Sequence, residues 1–286
     1  MSRVFTPIVI DKLTQNGYSP YLFEICKNSG FLDKIDDSLT LGNFFDMIYN
    51  SLFKYYRNAY IYKNVIANKI LLGKHSLSTS HMLSEFRVGY NKADVVIING
   101  TSSVYEIKSE YDTLNRLDGQ INAYLEIFDF INVISSFSQV DKLRSVLPEK
   151  IGILALTDRN TISTVREACS NKVNFNPNKL FGSLRKDEYT SIIKKHYGEL
   201  PNVPNTMIFD VCKNLYCKIP VESAHDLAFE QLKKRTNTEI LRTFIAEAPF
   251  SMAAYGTTIS TQEKKVFKLL SLLDKSFESF LAPNLN

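Results

Sequence analysis

The chain has little of several features that mark particular classes of protein. Only 11 glycines and 9 prolines occur among 286 residues, which excludes a fibrous or disordered chain. Four scattered cysteines give no disulfide framework and are typical of reduced thiols. Cys212 and Cys217 lie near His225, but their spacing suits zinc poorly and a fourth ligand is lacking. We therefore interpret both cysteines as core residues.

Long apolar runs and a strong net charge are also lacking. No apolar stretch approaches the roughly 18 residues that span a bilayer, and the start Met1-Ser2-Arg3-Val4-Phe5 lacks the apolar segment of a signal peptide. The net charge of +4 is compatible with nucleic-acid binding but too small to indicate it. Hydrophobic residues make up 44% and charged residues 22%, as in globular proteins. We expect a cytoplasmic protein that does not contact membranes.

The most informative stretch reads as two apolar strands joined by a polar turn. Residues 93–99 carry Asp94 near their start, and residues 104–108 carry Glu106 and Lys108, with Asn99-Gly100 supplying the turn. Residues two apart on a strand share a face, so Glu106 and Lys108 lie on one side. In an antiparallel hairpin Asp94 can lie close to Glu106. Such charges among buried residues are costly unless they are compensated, which indicates a functional site.

This pattern resembles the PD-(D/E)xK nuclease superfamily, in which an acid on one strand precedes an acid-x-lysine on the next. Residues 84–156 resemble in particular one prokaryotic branch of that superfamily, although Ala93 replaces the usual proline. The resemblance implies an α/β fold of restriction-endonuclease-like type, with a mixed central sheet flanked by helices. A second acid-x-lysine, residues 263–265, lies in a polar helical stretch that we interpret as a solvated surface.

The resemblance also implies a metal-dependent endonuclease-like hydrolase that cuts phosphodiester bonds, in DNA rather than RNA. Asp94, Glu106 and the Ile107 backbone carbonyl would bind the metal, and Lys108 would orient the attacking water. Carboxylate oxygens without competing His or Cys favour Mg²⁺ or Mn²⁺ over zinc. By resemblance, Glu85 is an additional acid of the metal shell; a surface glutamate at a helix end or strand edge is the alternative.

A helix predicted over about 113–128 follows this hairpin. Arg116, Gln120 and Tyr124 are spaced four apart and form one stripe, beside an apolar stripe that would pack on the sheet. By resemblance, Gln120 faces the active site. For Arg116 and Tyr124, phosphate contact and structural packing remain equally open.

The sequence predicts three regions. Residues 1–72 form a helical N-terminal region packed on the core, residues 73–157 the nuclease core, and residues 158–286 a mainly helical C-terminal region. Arg185 and Lys186, in a short amphipathic helix, are further candidates for nucleic-acid contact.

Two other functions remain open at this stage. The first is a catalytically silent nucleic-acid-binding module that retains the fold, and the second is a toxin-like or defence-associated protein whose C-terminal helices bind a protein partner. Many enzymes of the resembled fold cut as homodimers, but the sequence shows no self-complementary surface.

Overall fold

The computed structural model describes residues 1–36, 38–73 and 76–281, which divide into two compact units. One unit contains residues 79–235, here called the sheet unit; the other contains the described parts of 1–78 and 236–286, here called the helical unit. This division differs from the three predicted regions, because residues 158–235 pack with the sheet whereas the later helices pack with the N-terminal ones. Within the described residues, no helix is long and apolar enough to cross a membrane.

The N-terminal part of the helical unit confirms the helical prediction for this region. Its helices are α1 (Pro7–Asn16), α2 (Pro20–Asn28), α3 (Leu41–Tyr55) and α4 (Ala59–Ile66), the last continued by a π-helical turn at Ala67–Leu71. The side chains of Ser19, Thr40 and Asn58 accept hydrogen bonds from the first turns of α2, α3 and α4 and so cap them.

The sheet unit is built on six strands that lie in the order in which they occur along the chain. They are β1 (His81–Val88), β2 (Asn91–Ile98), β3 (Ser102–Lys108), β4 (Phe130–Ser136), β5 (Gly152–Leu156) and β6 (Ile162–Arg166). The pairs β1–β2, β2–β3 and β5–β6 are antiparallel, whereas β3–β4 and β4–β5 are parallel. The predicted α/β class with a mixed sheet is confirmed, and β1 and β6 were not predicted as strands.

Helices flank the sheet and complete its core. They are α5 (Leu117–Leu125), α6 (Val140–Val146), α7 (Pro177–Phe181), α8 (Lys186–Tyr197), α9 (Ile208–Tyr216) and α10 (Val221–Lys233). The helix α5 begins at Leu117, later than predicted, because residues 114–117 first form a separate turn in which the Leu117 N–H donates to the Leu114 carbonyl. Cys212 is buried as predicted, but Cys217 is exposed because it follows the last residue of α9.

The chain then returns to the helical unit. The helices α11 (Thr238–Glu247), α12 (Ala253–Ile259) and α13 (Glu263–Leu273) pack with α1, α3 and α4. The side chain of Asn64 on α4 donates to the Phe250 carbonyl and accepts from the Ala254 N–H, which joins residues far apart in sequence. These contacts explain why the C-terminal helices belong with the N-terminal ones.

Candidate active site

The predicted acids and lysine meet at one end of the strands, where β2 begins and β3 ends. The register pairs Val95 on β2 with Tyr105 on β3, so the next position along places Asp94 opposite Glu106. The Ile107 N–H donates to Asp94 Oδ2 at 2.9 Å, which fixes this carboxylate beside β3. The N–H and C=O of one strand residue point to the same neighbouring strand, so the Ile107 carbonyl is also directed towards β2.

Glu106 is the centre of a buried polar network. Its Oε1 atom lies 2.8 Å from Lys108 Nζ and 2.6 Å from Gln120 Nε2, and both groups donate to it. The amide oxygen of Gln120 also accepts from Lys108 Nζ at 2.8 Å. Glu106 is only 2% exposed and Lys108 8%, so solvent screens this ion pair weakly. The network holds the carboxylate and the ammonium in fixed positions.

Tyr124 supplies the third donor to this carboxylate. Its hydroxyl lies 2.8 Å from Glu106 Oε2 and 3.0 Å from the Lys92 carbonyl oxygen. A hydroxyl has one hydrogen, and the charged carboxylate is the stronger acceptor. Burial and the nearby Glu106 charge both raise the pKa of Tyr124, so this phenol stays protonated. Of the two interpretations left open for Tyr124, the structure shows packing combined with a direct contact to the site.

Glu85 lies on β1 beside Asp94, but its backbone conformation and its exposure differ from those of the buried Glu106. Ser84 pairs with Val95 and Phe86 with Ala93, so Glu85 faces Asp94 across β1 and β2. Its φ of 55° lies in the left-handed region, which is uncommon for a residue with a Cβ atom. Its carboxylate is half exposed and lies 3.8 Å from Lys92 Nζ. Among the described residues, no group of three or more His, Cys, Asp or Glu side chains is placed to hold a metal ion.

The remaining predicted residues lie away from this network or at its border. Arg116 is exposed and occupies the position before α5, one turn from Gln120. Arg185 precedes α8, where its backbone N–H donates to Glu188, and Lys186 Nζ donates to Asn205. The structure therefore gathers Asp94, Glu106, Lys108, Gln120 and Tyr124, and it does not add Arg185 or Lys186 to them through a described contact.

The donor atoms of the gathered residues suit a hard divalent cation. Two carboxylates and one backbone carbonyl are oxygen ligands, and Mg²⁺ commonly takes one or two carboxylates while keeping several waters. Both oxygens of Glu106 accept hydrogen bonds, so a cation there would have to replace one of these donors. The Oδ2 atom of Asp94 is directed at the Ile107 N–H.

Comparisons with known proteins identify the family of the chain. Protein cII of Enterobacteria phage P4 is 24% identical over 169 residues, which cover 58% of this chain and 63% of that protein. The chain therefore spans less than two thirds of the length of that relative. A solved structure of the protein SPO1766 of unknown function, from Silicibacter pomeroyi, aligns with 49% of this chain and 92% of its own, at 18% identity and a TM-score of 0.33. That likeness is too weak to bear on fold or function. Residues 54–249 match the family described as bacteriophage P4 protein cII, and because this match covers more than half of the chain, the protein belongs to that family.

Proposed function

We propose that the sheet unit is a metal-dependent nuclease that hydrolyses phosphodiester bonds, with Asp94, Glu106 and Lys108 at its centre. The observation that carries the proposal is the buried pair of Glu106 and Lys108, with Asp94 facing it from the neighbouring strand. Buried charges are costly, and a packed apolar residue of similar size would often serve stability as well. A reaction that needs both charges gives a reason for keeping them.

The proposed metal is Mg²⁺ or Mn²⁺, held by Asp94, Glu106 and the Ile107 carbonyl. When bound, such an ion supplies neutralisation of the negative charge that develops on the phosphate. The chain's own residues hold the Lys108 ammonium in place beside the proposed ion. Gln120 bridges Lys108 and Glu106 with both ends of its amide, which fixes the ammonium where it can orient a water and stabilise negative charge.

Tyr124 and the order of the site residues along the chain support the same proposal. The hydroxyl of Tyr124 contacts the second oxygen of Glu106 and so fixes the plane of this carboxylate. The acid on β2, the acid-x-lysine on β3 and the helix α5 that supplies Gln120 follow one another as the resemblance implies. We propose DNA as the substrate on the basis of that resemblance.

A binding module without catalysis is the second candidate. One observation favours it: both oxygens of Glu106 are already hydrogen-bonded by Lys108, Gln120 and Tyr124, as in a self-sufficient structural ion pair. In that case the network would stabilise this end of the strands, and nucleic acid would bind elsewhere on the sheet unit without being cut.

Cleavage by the purified full chain tests the proposal. Plasmid DNA, linear duplex, single-stranded DNA and RNA are incubated with Mg²⁺, Mn²⁺ or EDTA, for the wild type and for Lys108→Ala. We expect metal-dependent cutting by the wild type and none by Lys108→Ala, with similar circular dichroism spectra for both. Binding without cutting in every metal would support the second candidate and contradict the nuclease.

A further inference from the structure

Three exposed aromatic side chains lie in the sheet unit near the candidate active site. Among residues 79–235, the most exposed aromatic residues are Tyr90 at 106%, Tyr111 at 57% and Phe137 at 55%. Burying such rings would stabilise the fold, since aromatic side chains contribute large apolar areas. The three exposed rings therefore offer apolar faces that a ligand could cover.

All three residues belong to connecting segments at the same end of the strands, where β3 and β4 end and β2 begins. Tyr90 is in the turn between β1 and β2, Tyr111 follows Lys108 by three residues, and Phe137 directly follows β4. The strands β3 and β4 are parallel, so both end here, and β2 begins here because it is antiparallel to β3. Two hydrogen bonds join the ends of β3 and β4 and the segments that follow them: Ser135 donates to the Lys108 carbonyl, and Gln139 Nε2 donates to the Glu110 carbonyl.

Two cations lie beside Tyr90 on the same hairpin. Arg87 and Lys92 are directly opposite each other in the β1–β2 register, and both are exposed. Like charges in opposite positions of a sheet destabilise it. Lys92 is two residues from Asp94 on β2 and so shares its face. Lys92 is already the ion-pair partner of Glu85, and Arg87 adds a further positive charge between Tyr90 and the carboxylates, where a phosphate backbone would be attracted.

We infer that the preferred substrate is single-stranded nucleic acid, or an unpaired segment of a duplex, whose bases stack on Tyr90, Tyr111 and Phe137. The faces of bases inside a duplex are covered by their neighbours, whereas unpaired bases can stack on exposed aromatic rings. The three rings lie in loops at the strand ends that carry the charged centre, and Arg87 and Lys92 lie beside Tyr90, which suits a chain of alternating bases and phosphates. This inference rests on the proposed function for the choice of substrate, but the stacking can be measured without any cutting.

Fluorescence anisotropy in EDTA tests the inference. Labelled single-stranded DNA and RNA of 12 nucleotides, and a DNA duplex of equal length, are titrated with the wild-type chain at one fixed salt concentration. We expect Tyr90→Ala and Phe137→Ala each to weaken single-strand binding by about 5- to 100-fold, and Tyr90→Trp to retain it. Duplex binding should change by less than about 2-fold in all variants, since a duplex leaves no base face to stack.

Tyr197→Ala is the matched control, because Tyr197 is an exposed aromatic residue at the end of α8, outside these loops. It should bind single strands as the wild type does. Tighter binding of duplex than of single strands, or equal affinity of Tyr90→Ala and wild type, would overturn the inference. Stacking-dependent binding by a chain that cuts nothing would uphold the inference and contradict only the proposed nuclease activity.

Discussion

The left-handed backbone of Glu85 predicts that glycine is more stable than alanine at this position, which is the reverse of their usual order in a strand. In an ordinary strand, glycine is less stable than alanine by roughly 0.5–1 kcal/mol because the unfolded chain is more flexible. At φ of 55°, a residue with a Cβ atom carries a penalty of roughly 1–2 kcal/mol that glycine does not. The two effects have opposite signs. We therefore expect Glu85→Gly to be more stable than Glu85→Ala by about 0.5–1 kcal/mol.

Lys92 provides the matched control for this comparison. It lies on the adjacent strand β2, it is the ion-pair partner of Glu85, and its own backbone is not left-handed. Lys92→Gly should be less stable than Lys92→Ala by about 0.5–1 kcal/mol. Removal of the Glu85–Lys92 pair is common to all four variants, and an exposed pair of this kind contributes about 0–1 kcal/mol.

Urea unfolding followed by far-ultraviolet circular dichroism measures all four free energies of unfolding. The glycine-minus-alanine difference at position 85 should exceed that at position 92 by about 1–2 kcal/mol. If alanine is favoured over glycine by the same margin at both positions, the backbone of Glu85 carries no strain and the reasoning is refuted. Because the strained residue faces Asp94, such strain would be stored directly beside the candidate site.

Two further predictions concern buried groups of the sheet unit. Tyr124→Phe keeps the ring but removes a donor to the Glu106 carboxylate, so the free energy of unfolding should fall by about 1.5–3 kcal/mol. The control Tyr216→Phe removes a hydrogen bond to a neutral carbonyl, so its free energy of unfolding should fall by only about 1 kcal/mol. Burial lowers the pKa of His225 to about 4, so the folded state binds this proton only at a lower pH than the unfolded state does. The free energy of unfolding should therefore fall by about 3 kcal/mol as the pH drops from 6.5 to 4. His225→Leu should flatten this dependence in urea midpoints whereas the exposed His196→Leu should keep it, and an unchanged slope in His225→Leu would contradict the assignment.

The sequence predicted the strands β2 and β3 because both segments carry apolar runs. The segments that became β2, β3, β4 and β5 are buried on both faces, and such strands need no polar alternation. The strands β1 and β6 lie at the two edges of the sheet and are more polar: Ser84, Glu85 and Arg87 interrupt the apolar pattern of β1, and β6 has no buried residue. Edge strands are therefore the ones that periodicity missed.

The candidate site was predictable where a single element determined it. Glu106 and Lys108 share a strand, and Gln120 and Tyr124 share a helix face, so local spacing placed each pair correctly. The contact of Tyr124 with Glu106 depends on how α5 packs on β3, which local spacing does not contain. The left-handed backbone of Glu85 has no signal in the sequence either, because glutamate is not a residue type that favours it.

The most direct test of the proposed chemistry compares two isosteric changes of buried carboxylates. Glu106→Gln removes the charge at the candidate site, and Glu188→Gln removes a similarly buried charge that Arg235 binds elsewhere in the sheet unit, with both donor distances at 2.6 Å. Each variant loses a buried ion pair, so both should lose stability. In Mg²⁺, with both variants folded, Glu106→Gln should cut nucleic acid at least about 100-fold more slowly than the wild type, and Glu188→Gln should cut at nearly the wild-type rate. Equal rates for the two variants would contradict the account.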